Sequence, residues 1–403
     1  MLCDFELVKT LTEQYGSPLY VFDEKGFEEN YRHLCRAMRA HYPDYLPAYS
    51  LKTNYTPYIV AAVKRLGGYA EVVSGMEYYI ARRVGFPDER IIFNGPHKGE
   101  DGIAAFLNGC LLNVDSLGEA AILANTARQH PERRFRVGLR INADVGQSFI
   151  SRFGVDPGDI PTVLQTIGTA DNLKLVGLHC HVSRCRGIDA WEKRAERMLA
   201  LADRYFDAPP EFIDLGSGMF GSMDPEFRAQ FTDVPSYEAY AAAVAESFRS
   251  HYDGCSVRPQ LITEPGTTLI NKYVDFIGRV EAIKQLRGKS IAVLNCSTHN
   301  LGETCTLKEL PMRILPIGKQ QSYEDLDLTG YTCLEQDVMR SHYSGELAVG
   351  DLVIFGNVGG YSNVLKPPFI LPNCPMIAMT ADGGTRIIKN RESYDDVLQT
   401  YVF

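Results

Sequence analysis

The sequence predicts an α/β protein built as a (β/α)8 barrel of the TIM type, followed by a C-terminal all-β domain. Three observations support this prediction: the length of the chain, a regular alternation of short apolar runs with helical stretches, and a change of pattern after Glu264. The chain has 403 residues, which is long for one hydrophobic core and favours two domains.

Short apolar runs rich in β-forming residues predict eight barrel strands before that change. They are Leu46–Leu51, Tyr69–Val73, Arg90–Asn94, Leu111–Asp115, Phe135–Asn142, Lys174–His181, Glu211–Leu215 and Gln260–Glu264. Apolar residues recur at helical spacing between several of these runs. The clearest cases are Tyr58–Leu66, Met76–Val84, Leu117–Gln129 and Ala190–Tyr205. A doubly wound open sheet is the competing arrangement, but eight repeated units favour a closed barrel.

After Glu264, strand-like runs follow one another with turn signals between them and little helix, which predicts an all-β domain. These runs are Tyr273–Ile283, Ser290–Cys296, Met312–Ile317, Asp351–Phe355, Met376–Thr380 and Thr385–Lys389. Leu19–Phe22 is also strand-like and precedes the barrel. We therefore expect an N-terminal segment (1–25) that joins the β domain, a barrel (26–270) and the C-terminal β domain (271–403).

The composition argues against nucleic acid and membranes as partners. The formal net charge is -9, and no basic run appears in the sequence. No apolar run is long enough to cross a bilayer, and no segment resembles a signal peptide. The ten cysteines form no C-x-x-C pair, so we expect a cytoplasmic protein whose cysteines are mostly small buried apolar groups.

Polar residues follow the predicted barrel strands at their C-terminal ends, where barrel enzymes carry their chemistry. Lys52 follows the first run and His181 ends the sixth, while Gly216-Ser217-Gly218 follows the seventh and Glu264-Pro265-Gly266 ends the eighth. Each alone has a plain explanation, as a solvated lysine, a structural histidine or a turn. Together at one mouth they indicate a site for a phosphate-bearing aldehyde cofactor. The amine would form a Schiff base, the loop N–H groups would bind phosphate, and the carboxylate would face a ring nitrogen.

Two other motifs compete with this interpretation. Gly216–Gly221 formally matches the dinucleotide pattern G-x-G-x-x-G, but the acidic residue expected about 20 positions later is missing, since the next strand ends only at Glu264. His179 and His181, with Cys185 beyond, could bind a metal because alternate strand residues share a face. We found no matching further ligand at another strand end, so we expect no metal.

A series of segments runs through nearly the whole chain in a recognisable order. The segments are Tyr49–Asn54, Glu71–Glu77, Ile92–Lys98, Asn113–Ser116, Ser151–Gly154, His179–Val182, Asp214–Gly218, Glu264–Gly266, Cys333 with Asp337, and Gly359–Tyr361. Together they resemble the fold-type III decarboxylases that use pyridoxal 5'-phosphate (PLP), among them the diaminopimelate, ornithine and arginine decarboxylases and relatives from siderophore and antibiotic pathways. The resemblance implies the alanine racemase/ornithine decarboxylase-like fold.

The resemblance also implies roles at the cofactor. Lys52 would hold PLP as a Schiff base, Glu264 would pair with the pyridine nitrogen and His181 would stack on the ring. The remaining cofactor-binding residues would be Glu71, Gly216, Ser217, Gly218, Gly266 and Tyr361, of which the loop glycines and Tyr361 would contact phosphate.

A head-to-tail homodimer with shared active sites is implied as well. Cys333 of the partner subunit would protonate the carbanion left after CO2 departs, and Arg152 and Asp337 would pair across the interface. The expected activity is therefore decarboxylation of an amino acid.

Two alternatives stay open at this point. Alanine racemases share the fold but place an arginine at the pyridine nitrogen, which leaves the ring a poorer electron sink than Glu264 does. This favours a decarboxylase over an amino-acid racemase or epimerase. A non-catalytic PLP-binding homologue is the other alternative, and the presence of both Lys52 and Cys333 argues against it.

Several positions depart from the better-known members of that group. Thr267 stands where an arginine is usual, Leu334 where an acid usually meets the distal amine of the substrate, and Ser183-Arg184 where Gly-Ser is usual; Ser217 replaces a glycine, and Glu71 an aspartate. The resemblance implies a diamino acid as the substrate, whereas these departures weaken the case for ornithine, lysine and meso-diaminopimelate and favour a modified or conjugated amino acid. The residues expected to contact it are Arg184, Leu334 and Glu335.

Overall fold

The computed structural model describes Leu2 and residues 4–403, which form two compact units. One unit comprises Glu28–Gly221 and Asp233–Thr268, and the other comprises the residues up to Phe27, Ser222–Thr232 and Leu269–Phe403. Among the described residues, no helix is both long and apolar enough to cross a membrane.

Both units contain β-strands. In chain order they are β1 (Leu19–Asp23), β2 (Tyr45–Ser50), β3 (Tyr69–Val72), β4 (Ile91–Phe93), β5 (Leu111–Val114), β6 (Phe135–Ile141), β7 (Leu173–Cys180), β8 (Phe212–Asp214), β9 (Gln260–Thr263), β10 (Val274–Leu286), β11 (Lys289–Leu294), β12 (Met312–Leu315), β13 (Gln321–Thr329), β14 (Val338–Leu347), β15 (Leu352–Phe355), β16 (Met376–Met379) and β17 (Thr385–Lys389).

The helices alternate with the barrel strands and, apart from α1, are short elsewhere. In chain order they are α1 (Phe5–Tyr15), α2 (Glu24–His41), α3 (Pro57–Arg65), α4 (Gly75–Val84), α5 (Gly99–Asn108), α6 (Leu117–Arg128), α7 (Ile160–Ile167), α8 (Ile188–Tyr205), α9 (Pro225–Arg228), α10 (Tyr237–Tyr240), α11 (Glu246–His251), α12 (Thr267–Ile270), α13 (Thr298–Leu301), α14 (Thr304–Leu307) and α15 (Tyr394–Leu398). A π-helical segment, Ala241–Ala245, joins α10 to α11, and 3-10 turns cover Leu51–Thr53, Asp88–Arg90 and Asn271–Tyr273.

Strands β2 to β9 close into a parallel barrel, which confirms the predicted (β/α)8 architecture. Closure occurs where β2 pairs with β9, with Tyr45 opposite Leu261 and Pro47 opposite Thr263. Alternate residues of these strands pack inside, in a core formed by Leu46, Ala48, Ile92, Val176, Phe212 and Ile262. Each of the eight predicted runs overlaps one barrel strand. Because the strands are parallel, all their C-terminal ends open on the same mouth.

The four helices that the periodicity predicted are present as α3, α4, α6 and α8, while α5 and α7 gave no clear signal in the sequence. Helices α4 and α6 have the same capping arrangement at their N-termini. Ser74 caps α4 by accepting from the Glu77 N–H, and the Glu77 carboxylate accepts from the Val73 N–H. Ser116 and Glu119 repeat the arrangement on α6. Each cap satisfies N–H groups that an uncapped helix leaves open.

The second unit is a nine-stranded sheet whose main path runs β14-β13-β11-β10-β1-β16-β17, with β15 pairing with β10 and β12. Strand β1 lies inside this sheet, antiparallel to β10 and parallel to β16. Its core includes Leu19, Val21, Ile277, Ile354 and Ile377, against which α1 packs Val8 and Leu11. The sequence analysis missed β13 and β14, because most of their residues are polar or exposed and the period-two pattern is weak.

Candidate active site

Lys52 and Glu264 lie at the same mouth of the barrel because their strands, β2 and β9, are neighbours. Lys52 occupies the 3-10 turn that follows β2, and Glu264 directly follows β9. The two segments touch, since the Ser50 N–H donates to the Pro265 carbonyl over 3.4 Å. A Cβ on Gly266 would lie 2.1 Å from Thr53 Oγ1, so only glycine permits this approach.

The Lys52 amine is held between a hydroxyl and a carboxylate. Its Nζ lies 2.6 Å from Ser50 Oγ and 2.6 Å from Glu71 Oε2, while Ser50 Oγ donates to the same carboxylate over 2.5 Å. Glu71 is buried, whereas 34% of the Lys52 side chain is exposed at the mouth. This geometry presents one amine to a ligand and places a proton acceptor directly behind it.

A chain of hydrogen bonds connects this pair to Glu264 across the floor of the site. Asn94, directly after β4, donates from Nδ2 to Glu71 Oε1 over 3.1 Å and also to Glu264 Oε1. Asn113 on β5 donates to Asn94 Oδ1 over 2.8 Å, which fixes the orientation of that amide. The sequence analysis gave Ser50, Asn94 and Asn113 no role. Their position inside the motif segments was the only signal available.

Glu264 belongs to a buried group with His179 and Asp214, whose nearest nitrogen and oxygen atoms all lie within 4.8 Å of one another. Glu264 Oε1 is 3.3 Å from His179 Nε2. Burial alone would raise the pKa of Glu264, but His179 and Lys52 outweigh it and hold that pKa below its usual value. Burial and the neighbouring Glu264 raise the pKa of Asp214. Glu264 is therefore the carboxylate that stays ionised, and Asp214 is the one that stays protonated.

The structure separates the two histidines that a shared metal would need. His179 belongs to the group with Asp214 and Glu264, whereas His181 Nδ1 accepts from the Ser217 N–H over 3.1 Å. Burial lowers the pKa of His181 well below its ordinary value, so the imidazole is neutral and can accept this bond. Asp214 and Glu264 are nevertheless carboxylates at neighbouring strand ends, so the sequence analysis was wrong that no such pair accompanies His179.

The loop after β8, residues 215–218, forms a backbone cradle. Gly216 has φ +66° and donates its N–H to Asp214 Oδ1 over 2.8 Å. A Cβ at Gly216 would lie 2.5 Å from the Cys180 carbonyl, so a side chain cannot be accommodated there. The tight turn brings the loop against His181 at the end of β7 and leaves its backbone facing the mouth.

The residues expected to contact substrate or partner from the barrel lie in exposed loops. Arg184 is exposed, with φ +65°, in the loop after β7. Arg152 is also exposed and stacks on the ring of Phe153, with its guanidinium carbon 4.2 Å from the ring centroid. The proposed pairing of Arg152 across a dimer interface stays a prediction.

The remaining predicted residues belong to the β unit. Cys333 and Glu335 are exposed and Leu334 is half-buried in the turn that joins β13 to β14. Asp337, which ends this turn, is buried, and its carboxylate accepts from the N–H and hydroxyl of Thr298 and from the N–H and hydroxyl of Thr332. Asp337 therefore shapes the turn that carries Cys333, a role that the resemblance did not predict.

Tyr361 lies in a constrained turn of the same unit. Its φ of +54° is in the left-handed region, and its backbone packs against Gly302. The preceding glycines donate their N–H groups to Asn271, from Gly359 to the carbonyl and from Gly360 to Oδ1. The turn is thus held by backbone contacts, which leaves the tyrosine side chain half-exposed.

Comparison with known proteins decides the family. Residues 29–271 match the family model described as the pyridoxal binding domain of pyridoxal-dependent decarboxylases. The chain belongs to the pyridoxal-dependent decarboxylases. It is therefore an enzyme that uses PLP to decarboxylate an amino acid, as the resemblance implied.

Individual relatives cover nearly the whole length of this decarboxylase. It is 24% identical to the diaminopimelate decarboxylase of Aquifex aeolicus over 97% of the chain and 93% of that protein. It is 26% identical to the diaminopimelate decarboxylase of Methanothermobacter thermautotrophicus over 96% of the chain and 92% of that protein. A crystal structure of diaminopimelate decarboxylase from M. jannaschii has the same fold, with a TM-score of 0.86, 23% identity and coverage of 98% of this chain and 94% of that one.

The observed site of this decarboxylase fits PLP. Gly216 of the cradle has no room for a Cβ, which suits a phosphate group held by backbone N–H groups. Lys52 supplies a partly exposed amine, and Glu264 supplies a buried ionised carboxylate on the same face. His179 Nδ1 is buried without a hydrogen-bond partner among the described residues, so this nitrogen is available for a hydrogen bond at the floor of the site.

Proposed function

We propose that this enzyme removes the α-carboxylate of a diamino acid, or of a modified or conjugated amino acid of similar length, with Lys52 holding the cofactor. The observation that carries the proposal is the continuous set of contacts from Lys52 through Glu71 and Asn94 to Glu264. It joins the amine to the carboxylate that would face the ring nitrogen. When bound, PLP supplies the electron sink that accepts the electron pair of the broken carbon–carbon bond.

The residues of the chain would divide the remaining work. Glu264 stays ionised and so can keep a facing ring nitrogen protonated. Gly216, Ser217 and Gly218 would hold the phosphate through backbone N–H groups, with Tyr361 as a further phosphate contact. The neutral ring of His181 would cover one face of the cofactor and thereby exclude water from it.

Two proton transfers would take place, one at the Lys52 amine and one at the substrate α-carbon. Glu71 and Ser50 both contact Lys52 Nζ and could take or return its proton. We further propose that the enzyme works as a head-to-tail homodimer in which Cys333 of the partner subunit delivers a proton to the substrate α-carbon. The exposure of Cys333 in a tight turn supports this role, because a proton donor in trans must project from its own chain.

Two observations bear on the choice of substrate. The relatives named above are diaminopimelate decarboxylases, which favours a diamino acid. Thr267 and Leu334 remove a cation and an acid that the better-known decarboxylases use for binding, which favours a less common substrate. Arg184 and Glu335 are both exposed and charged and could supply the replacement contacts.

The test is a substrate panel with purified PLP-loaded enzyme. Carbon dioxide release and chiral product analysis would be followed with meso-diaminopimelate, lysine, ornithine, arginine and forms of these amino acids that are acylated on the distal nitrogen, which keep the free α-amine that PLP requires. We expect CO2 from at least one compound and none from the Lys52→Ala variant. Rapid CO2 release from a common free diamino acid would contradict the modified-substrate part. Racemisation without CO2 would contradict decarboxylation itself.

A further inference from the structure

Helix α8 carries an arginine that is fully buried and has no role in the assignments above. Arg194 has no exposed surface, and its guanidinium carbon lies 4.5 Å from the centroid of the Trp191 ring. Arginine is almost never fully buried unless its charge and its donors have partners. The contacts of Arg194 therefore indicate what the fold uses it for.

Both terminal nitrogens of Arg194 donate to backbone carbonyls of the two loops at the barrel mouth. Nη1 donates to Ser217 over 2.6 Å and to Leu215 over 3.3 Å, both in the cradle after β8. Nη2 donates to Val182 over 2.6 Å and to Cys185 over 2.9 Å, both in the loop after β7. One side chain thus fixes two loops whose contacted residues are 30 to 35 positions apart in sequence.

These bonds orient the cradle toward a ligand. In a trans peptide unit the C=O and N–H bonds point in opposite directions, so the Ser217 carbonyl that faces Arg194 directs the Gly218 N–H away from it. Within the described residues, the Gly218 N–H has no hydrogen-bond acceptor. A Cβ at Gly218 would lie 3.4 Å from Arg194 Nη2, so the guanidinium lies directly behind this peptide.

The charge of Arg194 is also uncompensated. In the part of the chain that the structure describes, no carboxylate forms an ion pair with it, and its Nε is buried without a hydrogen-bond partner. All four of its acceptors are neutral carbonyls. A buried cation without a counter-charge is unfavourable, and an anion on the opposite side of the cradle would offset it.

We propose that Arg194 is a positioning residue for the phosphate of the cofactor: it aims the Gly218 N–H at the phosphate and supplies a buried positive charge behind the cradle. This inference rests on the proposed binding of the phosphate by Gly216 to Gly218. Thr267 stands where related decarboxylases usually have an arginine, so this chain lacks that cation. We assign the binding of the phosphate charge to the buried Arg194 and not to the exposed Arg184.

The test compares two ligands that differ only in the phosphate. Dissociation constants of PLP and of pyridoxal, which lacks the phosphate, are measured on the cofactor-free protein by absorbance. The variants are Arg194→Gln, Arg194→Lys and the matched control Arg197→Gln, which removes an exposed arginine one turn along α8. The measured quantity is the preference, the ratio of the two dissociation constants.

We expect Arg194→Gln to lower the preference for PLP by roughly 10- to 100-fold, because it removes a charge and most of the oriented donors. Arg194→Lys should give an intermediate loss, since lysine keeps the charge without the planar fork. Arg197→Gln should leave the preference unchanged. An unchanged preference in the Arg194 variants, or an equal loss of affinity for both ligands, would overturn the proposal.

Folding of each variant is checked by circular dichroism. If Arg194→Gln does not fold, Arg194→Lys decides the outcome by the same ratio. If neither folds, inorganic phosphate must raise the unfolding temperature of the cofactor-free wild-type protein above that seen with chloride at equal ionic strength, and no rise would overturn the proposal. A wild-type protein that binds neither ligand would contradict the proposed function instead.

Discussion

Single residues at the barrel mouth set the protonation of the site. Glu264 keeps its charge because His179 and Lys52 lie beside it, while burial and Glu264 itself favour the neutral form of Asp214. Two carboxyl groups a few ångströms apart thus have different roles, set by the charges around each one. Sequence position alone could not distinguish them, because both simply follow buried strands.

The hydroxyl of Ser50 gives a first prediction at this scale. Ser50→Ala removes the hydroxyl that contacts both Lys52 Nζ and Glu71 Oε2. We expect kcat to fall roughly tenfold with little change in KM, because the amine loses a contact that orients it and can move its proton. Steady-state kinetics on the substrate found in the panel provides the measurement. Ser50→Thr, which keeps the hydroxyl, is the control, and equal losses in both variants would argue against a role for this group.

Glu77 gives a second prediction, on the pH dependence of stability. Burial raises the pKa of this carboxyl to about 7, with Glu71 adding to the effect. Because the folded pKa lies above the unfolded one, the stabilisation from the neutral form is complete below about pH 4 and is lost as the pH rises through about 7. Glu77→Gln removes this loss and keeps an oxygen for the Val73 N–H.

We therefore expect Glu77→Gln to be more stable than wild type at pH 8, by up to about 3 kcal/mol, and nearly equal at pH 4. Urea unfolding at both pH values provides the measurement. The matched control is Glu119→Gln at the equivalent cap of α6, which should lower stability because Glu119 pairs with the buried Lys98 over 2.7 Å. A loss of stability at pH 8 in Glu77→Gln would show that its charge is needed.

At the scale of elements, each functional loop is shaped by the strand end before it and by one buried anchor. The cradle after β8 is fixed by Asp214 and Arg194, and the turn between β13 and β14 is fixed by Asp337. Arg194 lies on α8, outside the loop that it fixes. Asp337 lies in the turn that it fixes and also accepts a hydrogen bond from Thr298. Loops held in this way present their backbone or side chains in one orientation, which lowers the cost of binding.

The cradle provides a prediction at this scale. Gly216→Ala places a Cβ at φ +66° and 2.5 Å from the Cys180 carbonyl. We expect a loss of about 1–3 kcal/mol in unfolding free energy and a much weaker affinity for PLP, because the turn must open. Urea unfolding and PLP titration measure the two effects. Gly187→Ala, at a glycine with φ −69° and nothing within 4 Å, should change neither by much, and similar behaviour of both variants would contradict the argument.

At the scale of the whole molecule, the chain combines a barrel with a sheet assembled from both ends of the sequence. Strand β1 lies between β10 and β16, so the sheet cannot be completed until the barrel segment between them has been made. The barrel carries Lys52 and Glu264, whereas Cys333 and Tyr361 belong to the β unit. The proposed shared site therefore has a test that depends on assembly.

Mixed dimers test the head-to-tail arrangement. Lys52→Ala and Cys333→Ala are each expected to be nearly inactive, but dimers containing one of each chain hold one site with both residues intact. Reassociation of equal amounts should restore about one quarter of wild-type activity. Mixing Lys52→Ala with Gly216→Ala restores none, because both changes lie in the same barrel. Failure of the first mixture would contradict shared sites.

The sequence by itself determined the eight barrel strands, the main helices and the positions of Lys52, His181, the cradle and Glu264, because these depend on local periodicity and on motifs a few residues long. The tertiary structure alone decided which polar atoms meet: Ser50 with Lys52 and Glu71, Asn94 with Glu264, and Arg194 with four carbonyls. It also decided that Asp337 bonds within its own unit. Most of these contacts join residues far apart in the chain, and the contact of Asn94 with Glu264 exists only in a closed barrel, with β2 beside β9 in one register.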